Sequence, residues 1–242
     1  MTTTEAKEGR PPLPNTDGKR FSHRKRAPRP TTLTCGREDP AHPVVSLHAS
    51  DRLTLLYGHP AVSKIALQAL VDYALSGRPV VYLDGVHTFD ASLVERSARN
   101  RRQPPSKALA MIHVARAFNA QQLERLMSHC LVDALERYHA STALISGLIE
   151  TLSAAGLTDM DVDRLVDRMV ESARHVTRQG FSLLCPCPAV PRPMAPTHRL
   201  FAALRAMSHR CIHVHEVQGI VTAEEFLCDA TPLYDGPGEA SA

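Results

Sequence analysis

Short apolar runs alternate with stretches of helical periodicity between residues 52 and 217. A buried strand is a short unbroken apolar run, whereas a helix that packs on one face repeats its apolar positions every three or four residues. The apolar runs predict strands at 52–57, 79–83, 110–115, 142–149, 181–185 and 211–217. The helical periodicity predicts helices at 62–75, at 90–99, from residue 119 onwards, at 161–178 and at 198–207.

Strands that alternate with helices of this length build a mostly parallel sheet with helices on both faces. Two residues support the predicted helix ends. Asn119 is of a type that caps a helix N-terminus, and Gly180 follows the helix at 161–178, where glycine is common. The sequence therefore predicts an α/β domain over residues 43–228, with an arm at 1–42 and a flexible C-terminal tail at 229–242.

Composition restricts the class of protein. The chain has 242 residues and is 43% hydrophobic, which is ordinary for a folded domain and excludes wholesale disorder. No stretch approaches the roughly 18 apolar residues that span a bilayer, and the polar N-terminus does not resemble a secretory signal. Six cysteines are too few for a disulfide scaffold of this length. We therefore expect no membrane partner and an intracellular location, in the cytoplasm or nucleoid, or in the nucleus of a eukaryote.

The positive charge is concentrated at the N-terminus. Residues 1–36 hold eight basic and three acidic residues, a net charge of +5, and the rest of the chain carries −2. Since segment 1–42 also lacks apolar periodicity, we expect it to be a disordered basic arm. Its candidate contacts to nucleic-acid phosphates are Lys19, Arg20, Arg24, Lys25, Arg26 and Arg29. A nuclear localisation signal and a solubilising tail are the alternatives for this cluster.

The first predicted strand ends in a partial match to a phosphate-binding loop. Residues 58–65 read G-H-P-A-V-S-K-I against the pattern G-x-x-x-x-G-K-[ST], so Gly58 and Lys64 match. Ser63 replaces the glycine that lets backbone amides approach the phosphates, and Ile65 replaces the hydroxyl that ligates Mg²⁺. The match is strengthened by its position between the first strand and the first helix, where α/β proteins bind ligands.

Further segments resemble those of RecA-like strand-exchange recombinases, especially the archaeal and eukaryotic branch. Residues 81–89 (VYLDGVHTF) resemble the family segment YIDTEGTF, and residues 114–119 (VARAFN) resemble YARAFN. Residues 143–146 (ALIS) fall where the family has LLIVDS, and residues 181–190 fall where it has the strand VVITNQV and the following loop. The order and spacing agree over residues 44–217, and the resemblance implies a RecA-like P-loop NTPase core.

The resemblance also identifies lost catalytic positions. The family's catalytic glutamate aligns with Val86, and the Walker-B aspartate, which holds Mg²⁺ through water, aligns with Ser146. Together with Ser63 and Ile65, four catalytic or metal positions are altered. Because phosphoryl transfer depends on a metal ion and a positioned water, we expect no catalytic residues, no metal and at most weak ATP binding.

The resemblance implies a non-hydrolysing accessory protein that acts in DNA repair or recombination. Such a protein would dock on RecA-family subunits or on copies of itself, and on DNA. Members of the family assemble through a short segment before the core, and residues 43–49 (PVVSLHA) are an apolar segment at that place. Two alternatives stay open: a DNA-dependent ATPase in which Asp84 or Glu150 replaces the lost acids, and an unrelated α/β binding module with a basic tail.

The loops that contact DNA in the family correspond here to 151–160 and 186–197. The first carries no cation, and the second carries Arg192, with Arg199 just after it. This is a poor electrostatic match for a phosphate backbone, so the N-terminal arm is the better candidate for DNA contact.

Cysteine and histidine residues on two predicted strands raise the question of a metal site. The residues concerned are Cys185, Cys187, Cys211 and His213. They would supply ligands from two elements only if the two strands were neighbours. Because cysteine is a common small core residue, we favour core packing over a metal site. We expect His113 and His129 to be packing residues as well.

Overall fold

A computed structural model describes residues 31–33, 45–48, 51–154 and 156–227. It contains one sheet with the strand order β1-β8-β7-β2-β6-β5-β3-β4. The strands are β1 (Thr31–Leu33), β2 (Leu53–Tyr57), β3 (Val80–Asp84), β4 (Ile112–Arg116), β5 (Thr142–Ser146), β6 (Ser182–Cys187), β7 (Arg210–Val217) and β8 (Ile220–Leu227). Strands β2 to β7 are parallel, and β8 pairs antiparallel with β7 and β1. The predicted α/β fold with a mostly parallel sheet is confirmed.

Helices cover both faces of the sheet. They are α1 (Val62–Leu75), α2 (Ala91–Asn100), α3 (Pro105–Ala110), α4 (Ala120–Arg125), α5 (Leu131–Arg137), α6 (Leu148–Ala154), α7 (Asp159–Arg178) and α8 (Pro196–Met207), with a π-helical turn at Leu126–Cys130. One buried cluster joins the sheet to α1–α3, and a second joins the opposite face to α4–α8. Among the described residues, no helix combines the length and apolar character needed to cross a bilayer.

Most predicted boundaries agree with the structure within two residues. The bounds of α1 are as predicted, and the Asn119 side chain caps α4 by accepting a hydrogen bond from the Gln122 amide at 2.8 Å. The strand predicted at 142–149 is too long, because Gly147 has a φ of +81° and α6 begins at Leu148. In the first DNA-contacting loop, expected at 151–160, residues 151–154 belong to α6.

Strand β8 was missed, and the end of β7 explains why. Gln218 and Gly219 both have positive φ and form the tight turn of a hairpin between β7 and β8. The turn residues favour a hairpin, but β8 (IVTAEEFL) has two adjacent glutamates in place of an apolar run. An outer strand can be polar because one of its faces is solvated.

The N-terminal segments lie partly outside the described residues. Outside the described residues lie the C-terminal tail predicted at 229–242 and six cations of the expected arm: Lys19, Arg20, Arg24, Lys25, Arg26 and Arg29. Within the expected arm at 1–42, residues Thr31–Leu33 pair with β8, so that part of the arm is a short strand instead of a disordered segment.

Residues 45–48 pack on the chain's own core. Val45 is buried and belongs to the cluster beneath α1, and the Ser46 carbonyl accepts a hydrogen bond of 2.8 Å from the Arg210 guanidinium. Arg210 is itself buried and paired with Asp51 at 2.6 Å and Glu225 at 2.5 Å. Segment 43–49 was expected to pack on a neighbouring subunit. Its described part is instead anchored intramolecularly.

Candidate functional site

The segment at 58–65 lies at the carboxyl edge of the sheet, where it follows β2 and includes the first turn of α1, as the sequence predicted. Gly58 opens it with a φ of +106°. A Cβ atom at this position would lie 2.7 Å from the His213 Cδ2 and 2.8 Å from the Val214 carbonyl oxygen. Glycine is therefore required here by the backbone conformation and by the close packing of β7.

The turn after Gly58 already uses amides that a phosphate would need. The Ala61 amide donates to the His59 Nδ1 at 3.1 Å, and the Val62 amide donates to the His59 carbonyl at 3.0 Å. A phosphate-binding loop instead directs free backbone N–H groups at the ligand. The turn therefore closes on itself and leaves little of an anion cradle.

The motif positions on α1 are divided between core and surface. Ile65 is 3% exposed and packs in the cluster beneath α1, so an aliphatic side chain fills the place of the Mg²⁺-binding hydroxyl. Lys64 is exposed on the helix surface, and Ser63 is half-buried in the first turn. Lys64 therefore places a cation near the N-terminus of α1, whereas Ile65 supplies no metal ligand.

Asp84 at the end of β3 is fully buried, and its carboxylate is hydrogen-bonded to the turn that follows the strand. Its carboxylate accepts hydrogen bonds from the Thr88 amide at 2.9 Å and from the Phe89 amide at 3.1 Å. The Arg116 guanidinium lies 3.8 Å away, and the Ser146 hydroxyl donates to the same carboxylate at 3.3 Å. Because both oxygens are engaged, Asp84 organises the turn and is poorly placed to act as a substitute catalytic acid.

Ser146 and Val86 are the two positions that the sequence resemblance aligns with acidic residues of the recombinase family. The Ser146 hydroxyl is buried between the Asp84 carboxylate and the Tyr82 hydroxyl, which donates to it at 3.1 Å. The Val86 side chain contacts Gly147, where an added Cβ would lie 2.8 Å from the Val86 Cγ1. Burial raises the pKa of the Tyr82 phenol, so Tyr82 keeps its proton within this network. These side chains fill the region with packed or hydrogen-bonded atoms.

Glu150 is the other acid named as a substitute, and its environment differs from that of Asp84. Its Oε2 atom is buried and has no hydrogen-bond partner among the described residues. Burial raises the pKa of the Glu150 carboxyl above its usual range. Burial, with a smaller effect from Glu150, also raises the pKa of the Cys187 thiol to about 12. Glu150 is thus an acid of raised pKa at the carboxyl edge.

The cysteine and histidine residues of β6 and β7 do not meet. Strand β2 lies between these strands, so Leu55 separates Cys185 from Cys211, and Tyr57 separates Cys187 from His213. Two strand spacings amount to about 9.6 Å, which is too far for ligands of one tetrahedral ion. No group of three or more His, Cys, Asp or Glu residues within the described ranges is arranged to hold a metal.

The two arginines near the second expected DNA loop differ in their surroundings. Arg199 on α8 pairs with Asp163 at 3.0 Å and with Asp167, both on α7. These carboxylates neutralise it, which weakens its case as a phosphate contact. Arg192 is exposed in the loop before α8.

A groove that sequence reasoning did not find runs beside β4. It has a volume of about 360 Å³ and lies between β3, β4, the π-helical turn and α5. The residues that line it include His113, Val114, Ala115, Leu126, Ala134 and Tyr138. The His113 and Tyr138 rings stack with centroids 3.7 Å apart and an interplanar angle of 7°. His113 was expected to pack in the core, and it instead forms part of a groove wall.

Among the described strands, β4 has a neighbour on one side only. β4 is the last strand in the sheet order, and its hydrogen bonds to β3 include the Met111 carbonyl and the Ala117 amide. Because alternate residues of a parallel strand point to opposite neighbours, the N–H and C=O groups of Ile112, Val114 and Arg116 point away from β3. The groove and the open strand edge together form what we call the β4 face.

No family model matches the chain, and the search of curated proteins found no match.

Proposed function

We propose that this protein is a non-hydrolysing RecA-like accessory protein that acts in DNA repair or recombination by docking on RecA-family subunits. The observation that carries the proposal is the β4 face, a groove of mixed polar and apolar lining beside a strand edge that no other described strand covers. Extended peptides bind such edges by adding a strand, with backbone hydrogen bonds supplying affinity and side-chain pockets supplying specificity.

The placement of the family-like segments supports a RecA-like core. Residues 81–89 form most of β3 and the turn after it, residues 114–119 end β4 and cap α4, and residues 143–146 lie in β5. β3 pairs with both β4 and β5, so the three segments reach the carboxyl edge side by side. The segment at 58–65 opens onto the same edge. Other doubly wound α/β domains also bring their strand ends to one edge, so the support comes from the family-like sequence of these segments together with their placement.

The packing at the altered positions supports the absence of hydrolysis. Ile65 is buried in the core, Ser146 is enclosed in a hydrogen-bond network, and Val86 packs on Gly147. Phosphoryl transfer requires a metal ion to neutralise charge and a group that positions the attacking water. The two aliphatic side chains can do neither, and the Ser146 hydroxyl is already hydrogen-bonded to Tyr82 and Asp84.

We commit to another RecA-family subunit as the occupant of the β4 face. Val45, in the chain's own segment 45–48, is buried against its core, and β1 is paired with its own β8. Both described segments that precede β2 are therefore engaged within the chain, which favours a partner that brings its own strand. Contact with DNA through the cations of the arm at 1–42 is part of the proposal, because Arg199 is neutralised by ion pairs.

Filling the groove is the experiment that tests this function. We expect Ala134→Trp to weaken docking on the purified RecA-family recombinase of the same organism by about tenfold or more, because the indole occupies the space that the partner's side chains need. Ala134 lines the groove and is half-buried. The measurement is a fluorescence-anisotropy titration of the labelled protein with the recombinase.

Ala202→Trp is the matched control, because it adds the same side chain at an exposed position of α8, away from the groove. Its affinity is expected to equal that of the wild type. Wild-type protein that does not bind the recombinase, or that associates only with itself, contradicts the proposal. Equal weakening by both substitutions would show that the interface lies outside the groove.

A second candidate, an ATPase with a rearranged site, is favoured by one observation. The unpartnered oxygen and raised pKa of Glu150 are features of a catalytic acid. We nevertheless expect ATP turnover at background level, unchanged in Lys64→Ala, because the metal positions are filled. Phosphate release with Mg²⁺, measured on the wild type, Lys64→Ala and Glu150→Gln, checks this. Turnover above background that falls in both variants would support the ATPase instead.

A further inference from the structure

Basic side chains gather at the amino edge of the sheet, where the parallel strands begin. Helices α1 and α2 follow β2 and β3 and return the chain toward this edge, so the C-terminal ends of both helices lie there. Five exposed cations belong to these helix ends and to α3, and we call them the amino-edge patch: Arg78, Arg99, Arg101, Arg102 and Lys107.

Contacts with the last turns of α1 show that the patch is one surface. The Arg78 guanidinium lies over the Tyr73 ring, 3.8 Å from its centroid. The Arg101 guanidinium pairs with the neighbouring residue of α1, Asp72, at 2.7 Å. The next cation follows Arg101 directly in the chain, and the last one lies on α3, which packs on both α1 and α2.

The patch carries more positive charge than its surroundings neutralise. Arg99 pairs with Glu95 at 3.2 Å, and Arg101 pairs with Asp72. The other three cations form no ion pair with any residue that the structure describes: Arg78, Arg102 and Lys107. Residues 37–242 together carry a net charge of −2, so the positive charge at this edge is a local concentration on an otherwise slightly acidic body.

Arg102 occupies a backbone position at which helices favour glycine. Its φ is +55°, and its amide donates to the Arg99 carbonyl at 2.9 Å while the Gln103 amide donates to the Ala98 carbonyl at 2.9 Å, which is the Schellman motif. Helix α7 ends in the same way, but with Gly180 at this position. An exposed arginine without an ion pair costs stability here and regains none through contacts, which points to a ligand for its side chain.

The chemistry of the patch fits the phosphate groups of a duplex. The Arg78 guanidinium is oriented by the Tyr73 ring and by a hydrogen bond of 2.9 Å from its Nε to the Ser76 hydroxyl, and an oriented guanidinium binds phosphate well. Residues 72–107 expose no large hydrophobic side chain. The patch thus lacks the apolar anchors of a protein interface or a membrane-binding surface, and it lacks an exposed ring on which unpaired bases would stack.

We propose that the amino-edge patch binds the phosphate backbone of duplex DNA without reading its sequence. This contact is separate from the one expected of the arm at 1–42. The inference extends the DNA contact of the proposed function, but it does not depend on docking at the β4 face. Each cation that contacts a phosphate releases counterions, so the logarithm of the binding constant falls against the logarithm of the salt concentration with a slope of about 0.9 per contact.

The test is the binding of a labelled DNA duplex of random sequence to the full-length protein, followed by fluorescence anisotropy between about 50 and 200 mM salt. No recombinase is present. We expect the triple variant Arg78→Gln/Arg102→Gly/Lys107→Gln to bind about tenfold or more weakly at the lowest salt, and its slope to be smaller by about two to three. The arm is intact in every protein compared, so its contribution is the same.

The single variant Arg102→Gly distinguishes loss of a DNA contact from loss of folding. Glycine relieves the positive φ, so the midpoint of urea denaturation is expected to rise while the affinity for the duplex falls. Unchanged affinity in this variant, with a raised midpoint, would show that Arg102 contacts no phosphate and would contradict the proposal.

The matched control removes three exposed cations from the opposite face of the sheet, on α4, α7 and α8: Arg125→Gln/Arg164→Gln/Arg205→Gln. Its slope is expected to equal that of the wild type. Equal weakening in both triple variants would mean that net charge or the arm accounts for the binding, which overturns the proposal. Binding to vesicles of phosphatidylcholine and phosphatidylserine that only the patch variant loses, with duplex binding intact, would assign the patch to a membrane and overturn it as well.

Discussion

Replacement of Asp84 by alanine is expected to lower the free energy of unfolding by about 3–5 kcal/mol. The carboxylate is fully buried and accepts hydrogen bonds from the amides of Thr88 and Phe89. Its loss leaves both amides without an acceptor and removes a partner of the Ser146 hydroxyl. The Arg116 side chain is half-exposed, so the ion pair contributes little of the total. Urea denaturation measures the effect.

The controls for this substitution distinguish a structural acid from a catalytic one. Asp133→Ala, at an exposed position of α5, is expected to change stability by no more than about 0.5 kcal/mol. Asp84→Asn, which keeps an acceptor oxygen, should lose less than Asp84→Ala. An acid held for catalysis commonly reduces stability. Unchanged or increased stability in Asp84→Ala would therefore argue for the ATPase alternative.

Val114→Pro is expected to weaken docking on the RecA-family recombinase by about 30-fold or more. The Val114 amide points away from β3, so proline removes a donor that only a docked strand would use, and its ring stands in the path of that strand. Proline is tolerated on an edge strand when its nitrogen faces outward. The fold should therefore persist, and a fluorescence-anisotropy titration measures the affinity.

Val114→Thr serves as the control, because it keeps the amide and the β-branched shape. Its affinity is expected to lie within about threefold of the wild type. Normal binding by Val114→Pro would show that the partner does not pair with β4. Loss of binding by both variants would mean that the side chain, and not the strand edge, supplies the contact.

Local signals in the sequence predicted the elements of the body well. The apolar spacing at 62–75 gave α1 its bounds, and Asn119 marked the start of α4. These features depend on neighbours a few residues away, which a sequence displays directly. Strand β8 was missed because its two adjacent glutamates interrupt the apolar pattern.

The candidate site was only partly predictable for a different reason. The position of Gly58 at the carboxyl edge followed from the order of strand and helix, but the contact between Gly58 and His213 depends on β7 lying beside β2. The same strand order separates Cys185 from Cys211 and leaves β4 at the edge of the sheet that the described strands form. Strand order is set by long-range packing, so no local pattern could show that His113 lines a groove.

Hydrogen exchange of the β4 amides, with and without the RecA-family recombinase, is the most direct test of docking by strand addition. The amides of Ile112, Val114 and Arg116 point away from β3, so in the free protein they should exchange faster than those of His113 and Ala115. If a partner strand pairs with β4, saturating recombinase slows exchange at these three outward amides. Unchanged exchange at all three under saturation, with binding verified in the same sample, would contradict docking by strand addition.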